Sequence, residues 1–249
     1  MTRTGQITAI ASGKGGVGKT WFAITLAHAL ARAGRRVLLF DGDLGLANVD
    51  IQLGLLPEHD LAAVVAGSMT LAQAALHHEG GFDIIAGRSG SGALSALDAA
   101  ALAQVLAALR QAAAQYDHII LDLGAGLDQA VRRMAAFADL LLVVATEEPT
   151  SLTDAYAVLK LHAADRAALP SEARIVVNQS TSRAGGERTY ATLARACTAF
   201  LGHTPKLAGI IRRDDRVRDA IRRQTPLLAR HPTAAAAEDV EAVARALAA

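Results

Sequence analysis

The sequence predicts an α/β fold, a single domain whose doubly wound, mainly parallel β-sheet is flanked by helices. Short β-branched or Leu-rich runs alternate with longer Ala/Leu/Arg segments, the pattern of successive βαβ units. Apolar residues make up 52% of the 249-residue chain and aromatics only 4%. The core must therefore be assembled from Ala, Leu, Val and Ile, which suits helices laid on a parallel sheet. No Pro/Ser-rich linker divides the chain, so residues 1–249 are read as one domain, with 232–249 as its C-terminal helix.

Strands are expected at Gln6 to Ser12, Arg36 to Asp41, Phe82 to Ala86, His118 to Asp122, Leu140 to Ala145, Arg174 to Asn178 and Leu207 to Ile211. All seven are near-continuous apolar runs, as a sheet covered on both faces requires. Helices are expected between them at Gly18 to Ala33, Ala99 to Gln115, Gln129 to Phe137, Ser151 to Ala163, Glu187 to Phe200 and Ala234 to Leu247. Gly34 is a natural stop for the first, and an apolar stripe makes the Ala-rich segment from Ala99 an ordinary amphipathic helix.

With 25 basic and 24 acidic residues, the whole molecule has no strong pull toward nucleic acid or anionic lipid, and any such affinity must be local. The single cysteine, Cys197, cannot form an intramolecular disulfide or a Cys-pair metal site. No apolar run reaches the roughly 20 residues that span a bilayer, and Met1 to Ser12 leads straight into a Gly-rich loop without room for a signal peptide. A cytoplasmic protein is expected.

Ligands on such sheets sit beyond the carboxyl ends of strands, and the polar motifs fall there. Gly13-Lys14-Gly15-Gly16-Val17-Gly18-Lys19-Thr20 matches the phosphate-binding loop G-x-x-x-x-G-K-[ST] between a predicted strand and a predicted helix. Its glycines let backbone N–H groups turn toward phosphates, and Lys19 neutralises β/γ oxygens. Thr20 can ligate Mg²⁺. The second predicted strand ends in Asp41-Gly42-Asp43, which aims two carboxylates at one place. Hard oxygen ligands of this kind suit Mg²⁺ and can hold an attacking water, although Asp also caps helices and turns. The strand ending in Asp122 is followed by Leu123-Gly124-Ala125-Gly126. Asn178 closes another strand with an amide that can both donate to and accept from a base edge, or simply form a turn.

The string Lys14-Gly-Gly-Val-Gly-Lys19-Thr20 resembles the deviant Walker A motif of the MinD/ParA superfamily. Asp41 to Asp50, Gly87 to Gly92 and Glu148-Pro-Thr-Ser-Leu-Thr-Asp154 resemble, more narrowly, the FlhG/FleN flagellar-number regulators. The resemblance implies a Mg²⁺-dependent, partner-stimulated ATPase that dimerises with ATP and binds ATP/ADP through residues 13–20. It also implies that Lys14 reaches the partner's nucleotide, Asp43 orients the attacking water, and Thr20, Asp41 and Asp122 serve the Mg²⁺ shell. Gly124 would sense the γ-phosphate and Asn178 would contact adenine.

Implied partners are a second copy and a flagellar GTPase, an enhancer-binding flagellar transcription activator or switch-complex proteins, with recruitment to a pole or membrane through them. Gly209-Ile-Ile-Arg-Arg-Asp214 resembles the family's G-x-I-P-x-D segment beside the base, with Arg212 in place of proline. Residues 1–6 lack the D-Q-A-x-x-L-R segment of several relatives. Thr233 to Ala249 is Ala-rich and acidic rather than basic, so weak or absent membrane binding is expected.

Two competing readings remain. Arg212 to Arg230 holds seven arginines against three aspartates, which could contact nonspecific DNA as in a ParA-type partition or positioning ATPase, or form a solvated helix face. A non-hydrolysing binding module is the other. His77-His78-Glu79 is disfavoured as a metal site because adjacent ligands seldom converge.

Overall fold

Strand runs and helical segments alternate along the chain as their periodicities require, and hydrogen bonding gathers the strands into one sheet. The computed structural model describes residues 4–43, 45–59, 61–87, 98–166 and 172–248. The strands are β1 (Gln6–Ser12), β2 (Val37–Gly42), β3 (Leu76–His78), β4 (Phe82–Ile85), β5 (His118–Ala125), β6 (Leu140–Ala145), β7 (Glu172–Ser180) and β8 (Lys206–Arg212). Their order is β3-β4-β2-β5-β1-β6-β7-β8. All neighbours are parallel except β3, which pairs antiparallel with β4. β3 departs from the expectation of seven parallel strands: three residues are too short for a periodic signal.

The helices are α1 (Lys19–Arg32), α2 (Val49–Leu53), α3 (Leu61–Val65), α4 (Leu71–Ala74), α5 (Ala99–Ala112), α6 (Gln129–Phe137), α7 (Pro149–Asp165), α8 (Arg183–Leu201), α9 (Asp215–Arg222), α10 (Leu227–Arg230) and α11 (Ala235–Ala248). α7 begins two residues before the predicted Ser151, because Pro149 fits the first helical position. α8 begins four residues before the predicted Glu187, because Ser182 caps the Gly185 amide at 3.0 Å.

Alternation along each strand splits the core in two. Ile7, Ala9, Leu38 and Phe40 pack with α5 to α8, whereas Ile10, Val37 and Leu39 pack with α1, α2 and α9 to α11. This is the doubly covered sheet expected from unbroken apolar strands. The sheet extends from β1 in both directions, through β5, β2 and β4 on one side and β6 to β8 on the other, and the chain fills the first side before the second. The carboxyl end of β1 is therefore a topological switch point, where a crevice forms.

α11 lies on the sheet rather than apart from it. Ala236, Ala237, Val240, Val243 and Ala244 are buried against α1 and β8. Among the described residues no helix is long and apolar enough to cross a membrane.

Candidate phosphate and base site

Residues 13–18 turn from the end of β1 into α1. Gly18 holds φ +87°, a left-handed conformation that favours glycine, and a Cβ there would lie 2.6 Å from the Asn178 Nδ2. Both the backbone and the neighbour demand glycine at this position. Gly13, Lys14, Gly15 and Gly16 lie on the loop, and Val17 turns into the core.

Lys19 is buried, and its Nζ donates to the Ser12 Oγ at 2.9 Å. Ser12 in turn donates to the Lys14 carbonyl at 2.6 Å. Burial pulls the Lys19 ammonium below the usual lysine range, opposed by the charges of Asp122 and Asp43. Lys14 behaves otherwise. Its Nζ is exposed, 2.5 Å from the Glu148 Oε2 and 3.2 Å from the Thr150 Oγ1 at the start of α7.

Sheet register brings the two carboxylates together, since Asp41 on β2 is the cross-strand neighbour of Asp122 on β5, which runs three residues past its predicted end at Asp122. Both are 1% exposed, and for two adjacent anions that burial dominates the electrostatics. Burial pushes the Asp41 carboxyl up to about 6 despite amide donors from Val49, Asp43 and Asn48. Burial, with Asp41 adding to it, pushes Asp122 up to about 8, while a hydrogen bond from Thr20 and the Lys19 charge pull back. Asp122 Oδ1 is buried without a hydrogen-bond partner.

A carboxylate pair short of positive charge, with one orphaned oxygen and an adjacent threonine hydroxyl, fits a hydrated Mg²⁺. Among the described residues no three His, Cys, Asp or Glu side chains form a tight metal cage, which is compatible with an ion that keeps most of its waters. Asp43 stands just outside this pair. Its amide donates to Asp41 at 3.2 Å, its Oδ1 accepts from the Leu46 amide at 3.0 Å, and its carboxylate lies beside Gly124.

Asn178 is buried at the end of the apolar part of β7, and its Nδ2 donates to the Val17 carbonyl at 2.7 Å. One amide hydrogen is thus committed to the loop, while the Oδ1 remains an acceptor. Beside it opens a cavity of about 290 Å³, lined by Gly16, Gly18, Trp21, Asn178, Gln179 and the segment from Arg212 to Ile221. Reading along the sequence singles out Lys14, Lys19, Thr20, Asp41, Asp43, Asp122 and Asn178 as site candidates but not Ser12 or Gln179. Gln179 donates to the Gly16 carbonyl at 3.2 Å. Only its place after Asn178 could have signalled it.

Residues 8–227 match the family model described as CbiA, the CobQ/CobB/MinD/ParA nucleotide binding domain. The chain belongs to the MinD/ParA nucleotide-binding family. Within that family it is 36% identical to the antiactivator FleN of Pseudomonas aeruginosa over 240 residues, covering 96% of this chain and 85% of FleN. It is 31% identical to the flagellum site-determining protein YlxH of Helicobacter pylori over 185 residues, 74% of this chain and 63% of YlxH. The fold matches the cell division ATPase MinD of Pyrococcus furiosus with a TM-score of 0.82 at 24% identity, covering 98% of each chain. MinD of Pyrococcus horikoshii, solved with Mg-ADP, gives a TM-score of 0.81 at 23% identity over 97% of this chain and 95% of that one.

Other sequence-singled residues lie away from the site. His77 pairs with Asp83 at 2.8 Å and His78 stacks on Phe82, roles that metal binding does not need. The loop Gly87 to Gly92 lies outside the described residues beyond Gly87, as does Leu44 within the Asp41 to Asp50 string.

The arginine-rich stretch forms α9 and α10. Asp219 accepts from Arg230 and His231, and Asp214 caps the Arg216 amide at 3.0 Å. A larger concavity, about 680 Å³, opens at the opposite ends of β6 to β8 and holds none of the motif residues.

Proposed function

We propose that this MinD/ParA-family chain is a Mg²⁺-dependent ATPase switch that sets flagellar number or placement. The observation that carries the catalytic part is the convergence of Lys19, Thr20, Asp41, Asp43 and Asp122 around one loop. The likeness to FleN over 96% of the chain and to YlxH supports the flagellar part.

In this reading the residue 13–18 amides and the start of α1 hold the phosphates of ATP or ADP, and Lys19, held by Ser12, offsets β/γ charge. Thr20, Asp41 and Asp122 hold Mg²⁺, which when bound neutralises charge on the phosphate oxygens. Asp43, next to the metal shell, orients the attacking water, and the neighbouring Gly124 amide reads whether a γ-phosphate is present. Asn178 accepts from the adenine amine.

Lys14 has no task inside its own site. Its pair with Glu148 is exposed on both sides, and such pairs contribute about 0–1 kcal/mol, so its ammonium can exchange partners at little cost. We assign it to the nucleotide of a second copy, closed face to face by ATP, with hydrolysis resetting both. The output of such a switch is which partner each state binds. The candidates are a flagellar GTPase, an enhancer-binding activator or switch-complex proteins, which could bring the protein to a pole or membrane.

A second reading, a DNA-dependent positioning ATPase, draws on α9. Among the described residues Arg213, Arg218, Arg222 and Arg223 make no ion pair, and Asp219 is taken by Arg230 and His231. It predicts ATP-dependent, salt-sensitive binding to nonspecific DNA.

Flagella counted per cell after Lys19→Ala in the native gene decide between them. Extra or misplaced flagella are expected. An unchanged count with a displaced chromosome or other cargo would reject the flagellar reading in favour of positioning.

A further inference from the structure

The base-side cavity is built partly by the C-terminal helix, through residues that never touch the cavity. Asp239, on α11, has a fully buried side chain. Its Oδ2 accepts from the Arg212 backbone amide at 2.9 Å and from Nε at 2.8 Å, and its Oδ1 accepts from the Arg212 Nη2 at 3.0 Å. Arg183 adds a further bond to Oδ1 at 2.7 Å.

Two more links join the same segments. Asp214 Oδ2 accepts from the Ala235 amide at 2.9 Å, and the Arg216 guanidinium donates to the Thr233 carbonyl at 3.3 Å. Arg212, Arg213 and Asp214 line the cavity, and α9, which begins at Asp215, supplies its far wall with Val217, Arg218 and Ile221.

A buried carboxylate needs cations and donors to offset its lost hydration, so Asp239 and Arg212 bind each other tightly or disrupt both elements. At the same place the resembling pattern has proline, which lacks the N–H that Asp239 uses here. Three residues earlier on β8, a Cβ on Gly209 would lie 2.5 Å from the Val243 Cγ2. Strand and helix are thus in direct contact one turn beyond the ion pair.

We propose that Asp239 is a positioning residue of the nucleotide site, coupling docking of α11 to binding of the base. It holds the guanidinium of Arg212 back against α11 and sets the turn from β8 into α9, so that the cavity keeps the width of a purine. By linkage, base binding then favours the docked helix to the same degree. The inference rests on the nucleotide-binding reading of the preceding subsection.

The test measures calorimetric affinity for Mg-ADP and for inorganic triphosphate, which lacks base and sugar, in wild type and Asp239→Asn. The expected result is a loss on the order of tenfold for ADP with triphosphate affinity unchanged. An equal loss for both ligands, or no loss for ADP, overturns the proposal.

Should Asp239→Asn not fold, Arg212→Gln keeps the Arg183–Asp239 pair and must give the same base-selective loss. In the Arg212→Gln background, Asp239→Asn is expected to cost no further ADP affinity. A full additional loss there would mean that Asp239 acts through packing alone and would also overturn it. Wild type binding neither ligand would instead sink the nucleotide-binding reading.

Discussion

The Lys14 ammonium lies 2.5 Å from the Glu148 carboxylate across the mouth of the phosphate loop, with side-chain exposures of 40% and 64%. Lys19, five residues on, is buried. Two lysines of one motif therefore occupy opposite electrostatic settings, one fixed inside and one free to leave. Lys14→Ala is expected to lower kcat by roughly 10³-fold, the scale of a trans-acting cation in phosphoryl transfer, while ATP affinity changes little. Stability should shift by less than about 1 kcal/mol. Steady-state phosphate release with nucleotide titration checks this, and a loss confined to affinity would place Lys14 in its own site.

Asp122 makes the opposite prediction. A buried carboxylate with an orphaned oxygen beside another buried carboxylate costs the fold stability. Asp122→Asn should raise the stability of the nucleotide-free protein by about 1 kcal/mol and, under the proposed Mg²⁺ role, remove any stabilisation that Mg²⁺ adds to that from ADP. Thermal melts with ADP, with and without Mg²⁺, read both effects. A lower apo Tm would contradict the electrostatic account.

Two histidines set an acid limit to stability. Burial is the main cause that lowers His28 and His162 from 6.5 to about 4, with the charges of Arg32 and Arg166 adding to it. The unfolded chain then binds protons that the native state refuses. Stability is fully present above pH 6.5 and falls as pH drops toward 4, by up to about 3 kcal/mol for each histidine. Urea unfolding at pH 7.5, 6 and 5 should follow this slope. Imidazole resonances titrating near 6.5 in the folded protein would refute it.

Gly209→Ala drives a methyl group into Val243 and should destabilise the fold by about 1–3 kcal/mol. Val243→Ala opens the space, so the double variant should be less destabilised than the sum of the singles. Additive losses in urea titrations would mean that the strand, not the helix contact, demands glycine.

Much of this protein was legible along the chain because its decisive features are local. Periodicity located seven of the eight strands among the described residues, and the loop residues 13–20 pointed to phosphate chemistry, since consecutive amides and a helix start are built from consecutive residues. Asp41 and Asp122 could be singled out as strand-end carboxylates, each at the end of an apolar run. β3 was not legible, being three residues long and held only by its partner β4. α9 was read as a charged stretch because its arginines hide the short apolar face formed by Val217, Ala220 and Ile221.

What the sequence determined by itself was therefore the layered α/β architecture and the candidates for the phosphate side of the site. Tertiary structure alone decided their relationships. The register of β2 on β5 placed Asp41 beside Asp122, 81 positions apart in sequence. The return of β7 set Asn178 against Val17, and packing of α11 turned Arg212, a departure from the family pattern, into the partner of Asp239. Sequence spacing carries no information about which strands become neighbours. That choice is made by burial of two apolar faces over the whole sheet, and the pairing of buried charges follows from it.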